Sequence, residues 1–155
     1  MASDGAHGHS MEAESSAFRC VLCGICCSVY QVCISHEEAA SIAAHMSMDF
    51  YAWVGTFCDP RWHDARSYLI RHYAGRCIFL QRGRNRRIAT CGIYAFRPSP
   101  CRDWEAGLTK PECVEGLRRY WGVGVDADGN LYGSAVSTAR LRAFLAGDTL
   151  PANPD

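Results

Sequence analysis

The chain has 155 residues, 48% of them hydrophobic and 21% charged, with a formal net charge of zero. That is the composition of one globular unit with a modest core, and the neutral balance gives no global attraction to nucleic acid or to an anionic membrane. No apolar run is long enough to span a bilayer. The anomaly is cysteine, ten in all, and such richness has two physical uses: disulfide stapling or metal thiolates.

Residues 1–16, MASDGAHGHSMEAESS, are small and polar and read as a disordered tail. His7 and His9 belong to that tail rather than to a ligand set. No basic segment followed by an apolar stretch marks an export signal. The expected compartment is therefore the cytoplasm, where thiols stay reduced, and metal is favoured over disulfides. Residues 17–147 are expected to form a single cysteine-cluster metal-binding domain, and 148–155 a C-terminal tail.

The first ordered stretch is FRCVLCGICCSVYQVC, with Cys20, Cys23, Cys26, Cys27 and Cys33. In SHEEAASIAAHMS, Ser35 and Glu38 have the spacing of a capping box. Ala39, Ile42, Ala43 and Met46 then follow at helical period, which predicts a helix over 36–46. Ser47 is expected to cap a second helix over 48–54, packed through Phe50, Trp53 and Val54. Residues 58–66 read as a loop and 67–73 as a strand. CIFLQ (77–81) and RIATC (87–91) are predicted to pair as a hairpin, which would bring Cys77 close to Cys91. Its tip holds Arg82, Arg84, Arg86 and Arg87 and reads as a solvated turn, because no aromatic interleaving marks nucleic-acid binding.

The prolines of RPSPC (97–101) predict a stiff extended segment. Thr109 and Glu112 suggest a second capping box, with Pro111 in the first turn of a helix over 110–120 that carries Cys113, Leu117 and Tyr120. Asp128-Gly129 predicts a hairpin turn in place of a calcium loop. The last helix carries Leu141, Phe144 and Leu145 inward and stops at Gly147. The fold class is α+β: a small antiparallel hairpin sheet with short helices, organised around Cys-ligated metal.

The run C-x2-C-x2-C supplies three thiolates to one compact centre, as zinc and iron–sulfur sites require. A fourth cysteine stands immediately after the third. Neighbouring side chains of an extended segment face opposite ways, so Cys26 and Cys27 are expected to serve two neighbouring sites or different metals of one cluster. Further ligands are available downstream at Cys77, Cys91, Cys101 and Cys113, the last in a helical first turn that favours a thiolate. Cys33 and Cys58 lack partners at ligand spacing and read as packing residues. His36, His45, His63 and His72 form no recognisable catalytic constellation, so metal-assisted catalysis is the third reading and the catalytic residues are unassigned.

The combined pattern C-x2-C-G-x-C-C, then G-x-C-I-F-L, then C-x-I-Y-x-x-R-P-x-x-C-R-x-W and a last cysteine resembles the YkgJ family of cysteine-cluster proteins, the CxxCxxCC domain. It departs from the family at Ile78, where proline is frequent, and at Trp104, where phenylalanine is common. The resemblance implies eight metal-binding cysteines: Cys20, Cys23, Cys26, Cys27, Cys77, Cys91, Cys101 and Cys113. The implied cofactor is an iron–sulfur cluster, [4Fe–4S], or zinc. The expected roles are electron transfer or assistance to a modification enzyme, with a zinc-binding interaction module as the alternative. Metal ions and a protein or redox partner are the expected partners, with no membrane and no nucleic acid. Tyr94, Arg97 and Arg102 accompany the second cysteine group as donors near its thiolates.

Overall fold

The computed structural model describes residues 18–147, and both predicted tails lie outside them. After an irregular stretch, a single helical turn, α1 (Cys26–Val29), leads to strand β1 (Cys33–Ser35) and helix α2 (His36–His45). The Ser35 side chain accepts from the Glu38 amide while Glu38 accepts from the Ser35 amide, so the predicted capping box is complete. Helix α3 (Phe50–Phe57) is capped by Asp49, whose carboxylate accepts from Ala52. Ser47 instead takes a left-handed conformation in the connection, φ 53°, so the helix starts later than expected.

Five of the eight short strands among the described residues follow. The predicted 67–73 strand is broken into β2 (Ser67–Leu69), paired with β1, and β3 (His72–Tyr73). Strand β3 pairs with β4 (Arg76–Cys77), and β5 (Leu80–Arg82) pairs with β6 (Ala89–Cys91). The predicted hairpin is thus real but shorter. A turn at 78–79 puts Cys77 opposite His72, and Leu80 opposite Cys91. Each sheet among the described residues is a two-stranded antiparallel ribbon. Such ribbons are marginal alone and rely on packing from other elements.

The proline segment is a correction. Ser99–Arg102 forms a one-turn helix, α4, with Pro98 at its N-cap and Pro100 in its first turn. A first-turn proline loses no intrahelical bond, because that amide has no partner anyway. Helix α5 (Pro111–Gly116) runs on into a π-helical turn, Leu117–Trp121, closed by Gly122. Its predicted Thr109 cap is not used: Lys110 is the N-cap, without a side-chain bond. Strands β7 (Val123–Val125) and β8 (Leu131–Gly133) form the predicted hairpin, in which the Asp126 carboxylate accepts from the Asp128 and Asn130 amides. Helix α6 (Ala135–Ala146) is capped by Ser134 and ends at Gly147 in the left-handed conformation, as expected.

Two apolar clusters result. The first gathers Ile34, Ile42, Trp53, Ile70, Phe79 and Ile93, with Trp53 fully buried. Trimming that indole to alanine costs about 3–5 kcal/mol. The second gathers Val21, Cys23, Ile25, Leu117, Trp121, Val123 and Leu141. Cys77 and Cys91 pack against the first cluster, whereas Cys23 belongs to the second. The cysteines therefore lie along the seam between the two.

Candidate metal centre

The first cysteines sit on a sharply folded loop. Leu22 and Gly24 both have positive φ, 54° and 73°, which turns the chain between Cys20 and Ile25. The loop is laid on the β5–β6 ribbon by the Ala89 amide, which donates to the Leu22 carbonyl at 2.7 Å. Arg82 donates to the Cys23 carbonyl at 2.5 Å and stacks on Tyr120, 4.2 Å from the ring centroid. A hairpin-tip arginine is thus built into the support of the loop. A Cβ on Gly24 would meet Ala89 Cβ at 3.0 Å, so glycine there serves both the turn and the close approach.

Helix α1 lies between β4, which carries Cys77, and α5, which carries Cys113. This arrangement divides the thiols. Cys20 and Cys23 lie within electrostatic reach of each other, of Cys26 and of Cys113. Cys27 lies within reach of Cys77 and Cys101, Cys77 of Cys91, and Cys101 of both Cys77 and Cys91. These couplings sort the thiols into four on the α5 side and four on the β4–α4 side, without closing either set around one point. The two groups abut where Cys26 Sγ and Cys27 Sγ stand 4.0 Å apart. Cys101 also feels Cys26 across this join.

The join corrects one expectation. Cys26 and Cys27 are on a helical turn, where successive residues are about 100° apart, and not on an extended segment with opposed side chains. Their sulfurs are neighbours, yet their other thiol neighbours differ. Cys77 and Cys91 do come within reach of each other, but through the turn at 78–79 and not across one ladder. Cys58 is buried in the first core, as expected of a packing residue. Cys33 is exposed on β1 and does not pack inward.

All ten cysteines are free thiols. Burial raises Cys23 and Cys101 to about 11, and it also raises Cys20 and Cys77. The Cys26–Cys27 pair behaves differently. A hydrogen bond between the sulfurs lowers the first proton loss, at Cys26, and strongly opposes the second, at Cys27. Such thiols are costly to ionise until a cation compensates them. One protein cation contributes: the Arg97 guanidinium lowers both Cys20 and Cys101, and so faces both groups. It stacks on Tyr94 at 3.9 Å, and its carbonyl accepts from Arg102.

The remaining supports come from elements whose role spacing does not reveal. A Cβ built on Gly116 would lie 2.2 Å from Cys23 Sγ, so the thiol fills the space that a larger residue would occupy on α5. Glu38 accepts from both the amide and the hydroxyl of Ser99, which ties the start of α2 to the start of α4 and hence to Cys101. Burial opposes its ionisation, but these bonds outweigh it and hold the carboxyl below its ordinary value. The Tyr30 hydroxyl donates to Glu112, the residue before Cys113.

Three of the histidines are engaged elsewhere. His45 donates to the Ser41 carbonyl and stacks on Phe96, His72 donates to the Tyr30 carbonyl, and His36 packs on Phe50. Among the described residues, no three His, Cys, Asp or Glu side chains converge closely enough to enclose an ion. The donor set nevertheless fits a thiophilic metal in chemistry: eight thiols, Cys23 and Cys113 buried, Cys20 exposed and the rest half-buried, with the Arg97 charge lowering one thiol of each set. Closing around an ion requires movement of side chains on short, lightly anchored turns such as α1.

A family model described as "Putative zinc- or iron-chelating domain", CxxCxxCC, matches residues 19–114. The chain belongs to this family. The matched span opens one residue before Cys20 and closes one residue after Cys113, so it holds both thiol groups and the α1, β4 and α4 elements that present them. The β7–β8 hairpin and α6 lie beyond the CxxCxxCC domain and supply part of the second apolar cluster. No curated protein and no solved structure matches the chain. Among the described residues, no helix is long and apolar enough to cross a membrane.

Proposed function

We propose that this protein holds a [4Fe–4S] cluster on Cys20, Cys23, Cys26 and Cys113, and a second metal on Cys27, Cys77, Cys91 and Cys101. On this reading it works in the cytoplasm, in electron transfer or in support of a modification enzyme. The observation that supports the reading is the placement of α1, with Cys26 and Cys27 Sγ 4.0 Å apart, between β4 with Cys77 and α5 with Cys113. Four thiolates are the full complement for a cubane cluster, and the C-x2-C-x2-C run supplies three of them. When bound, such a cluster supplies one-electron chemistry.

The chain's own residues do the rest. Gly116 admits the Cys23 sulfur against α5, Arg82 holds the loop carbonyl, and Arg97 offsets thiolate charge in both groups. A positive charge beside thiolates stabilises the charged sulfur and would raise the potential of a bound cluster. A second reading has one specific observation behind it. Two thiolates on a tetrahedral zinc stand about 3.8 Å apart for Zn–S of about 2.3 Å, close to the 4.0 Å between Cys26 and Cys27. That favours a zinc-binding interaction module in which this pair shares an ion.

Anaerobic purification followed by visible spectroscopy and by iron, sulfide and zinc analysis separates the two. A brown protein with matched iron and sulfide is expected; a colourless zinc protein refutes the cluster.

A further inference from the structure

The net charge of the chain is zero, but its cations are not evenly spread. Six of its sixteen Lys and Arg residues line one open groove of about 830 Å³: Arg76, Arg82, Arg84, Arg86, Arg87 and Arg119. They arrive from three places: the start of β4, the β5–β6 hairpin and the π-helical turn after α5. Tyr120 completes the wall, and among the described residues no carboxylate lines it. The tip read from sequence as a solvated turn is thus one side of a concave cationic site.

Arg76, Arg84, Arg86 and Arg119 bring four exposed guanidinium groups into one concavity, where they repel one another unless an anion sits among them. The Arg61–Asp59 and Arg118–Glu115 ion pairs are made elsewhere. Arg76, Arg84, Arg86 and Arg119 are exposed and aligned with none of these acids. Arg82 is different: it is locked by the Cys23 and Arg86 carbonyls and by Tyr120, and so forms a rigid floor. Arg119 also lies over Tyr120, at 5.6 Å. With that ring engaged by arginines, it offers little free face for stacking a base, and recognition must run through charge.

We propose that this groove binds consecutive phosphate groups, as a free polyphosphate or nucleotide or as the backbone of a single-stranded nucleic acid. Phosphates carry their charge at high density and accept the paired donors of arginine in its fork geometry. Carboxylates of an extended acidic peptide alternate in direction and bring less charge into a compact concavity. Affinity should therefore follow phosphate number and be indifferent to the base.

The test uses the full chain as purified with its metal. Titration calorimetry or fluorescence anisotropy at about 50 mM salt compares tripolyphosphate, ATP, ADP, AMP, a short single-stranded oligonucleotide and hexaglutamate. The expected order is triphosphate over diphosphate over monophosphate, with binding weakened several-fold at about 200 mM salt. Tighter oligonucleotide binding identifies the backbone as the source; tighter tripolyphosphate binding identifies a free polyphosphate. Arg84→Ser with Arg86→Ser, both on exposed positions away from the thiols, should weaken binding about tenfold or more. The same variant should keep its metal content and melting temperature. Hexaglutamate binding as tightly as the phosphates, no phosphate ligand binding at the lower salt, or undiminished binding by the variant overturns the proposal.

Discussion

Replacing Gly116 with alanine isolates the packing of one thiol. Gly116 has ordinary helical angles, φ −62° and ψ −43°, so alanine introduces no backbone strain there. Its Cβ would stand 2.2 Å from Cys23 Sγ and 2.7 Å from Cys23 Cβ. Ordinary contact begins near 3.5 Å, so the sulfur or the helix must yield by about 1.3 Å. Overpacking of this kind costs about 1–3 kcal/mol, and alanine recovers about 1 kcal/mol of helix propensity. The net loss of fold stability is at most about 2 kcal/mol, which a folded protein survives. Metal–ligand distances tolerate only about 0.2 Å, so the same displacement is far more damaging to coordination. The expected result is a folded G116A protein that loses the metal of the Cys20–Cys23–Cys26–Cys113 group and keeps the other. Circular dichroism reports the fold, and metal analysis per chain reports the loss. Gly55→Ala on α3 is the control: nothing lies within 4 Å of its Cβ, so it should gain up to about 1 kcal/mol and keep all metal. Full metal content in G116A would refute the placement of Cys23 as a ligand held against α5.

Removing the metal with a chelator under reducing conditions should lower the melting temperature by about 10 °C or more, because α1 buries none of its residues and the ribbons are short; an unchanged melting temperature in verified apoprotein would contradict this. Glu38→Ala removes the carboxylate half of the α2 capping box, the bond from the Ser35 amide, together with the two bonds from Ser99, and should cost about 1–2 kcal/mol in denaturant titration. Acid should weaken the fold through Glu38 and Asp59, both held below their ordinary values, Asp59 chiefly by Arg61. Because their folded values are depressed, their contribution is complete above about pH 4–4.5 and is lost as the pH falls through the folded values. A melting temperature of apoprotein that is flat from pH 5 to about pH 2.5 would show that these bonds do not form.

The elements that were legible in the sequence are those set by local chemistry. Ser35 and Glu38 are three residues apart and cap each other directly, and Gly147 and Asp128-Gly129 stop a helix and turn a hairpin through their own backbone preferences. Where two local signals compete, tertiary contacts decide. Glu112 is drawn to Tyr30 and leaves Thr109 without its expected partner. Pro100 joins a helix because its place in the first turn costs no hydrogen bond. The eight cysteines stand out by spacing, but which thiol meets which depends on α1 being helical and on the turn at 78–79 that moves Cys77 off the Cys91 ladder. Gly116 gives no signal at all in the sequence, because its role is an empty space on α5 that another segment fills. The basic hairpin tip was visible as a cluster, but Arg76 and Arg119 join it only through the fold.

The central claim is that Cys26 and Cys27, although adjacent, serve two different metal groups. Metal and sulfide equivalents per chain in Cys26→Ser and Cys27→Ser, each purified anaerobically beside the unaltered protein, test it most directly. The account predicts that the first variant loses the iron and sulfide of the α5-side group while the second loses the equivalent held on the β4–α4 side. Identical losses in the two variants would contradict it and would assign all eight thiols to one centre.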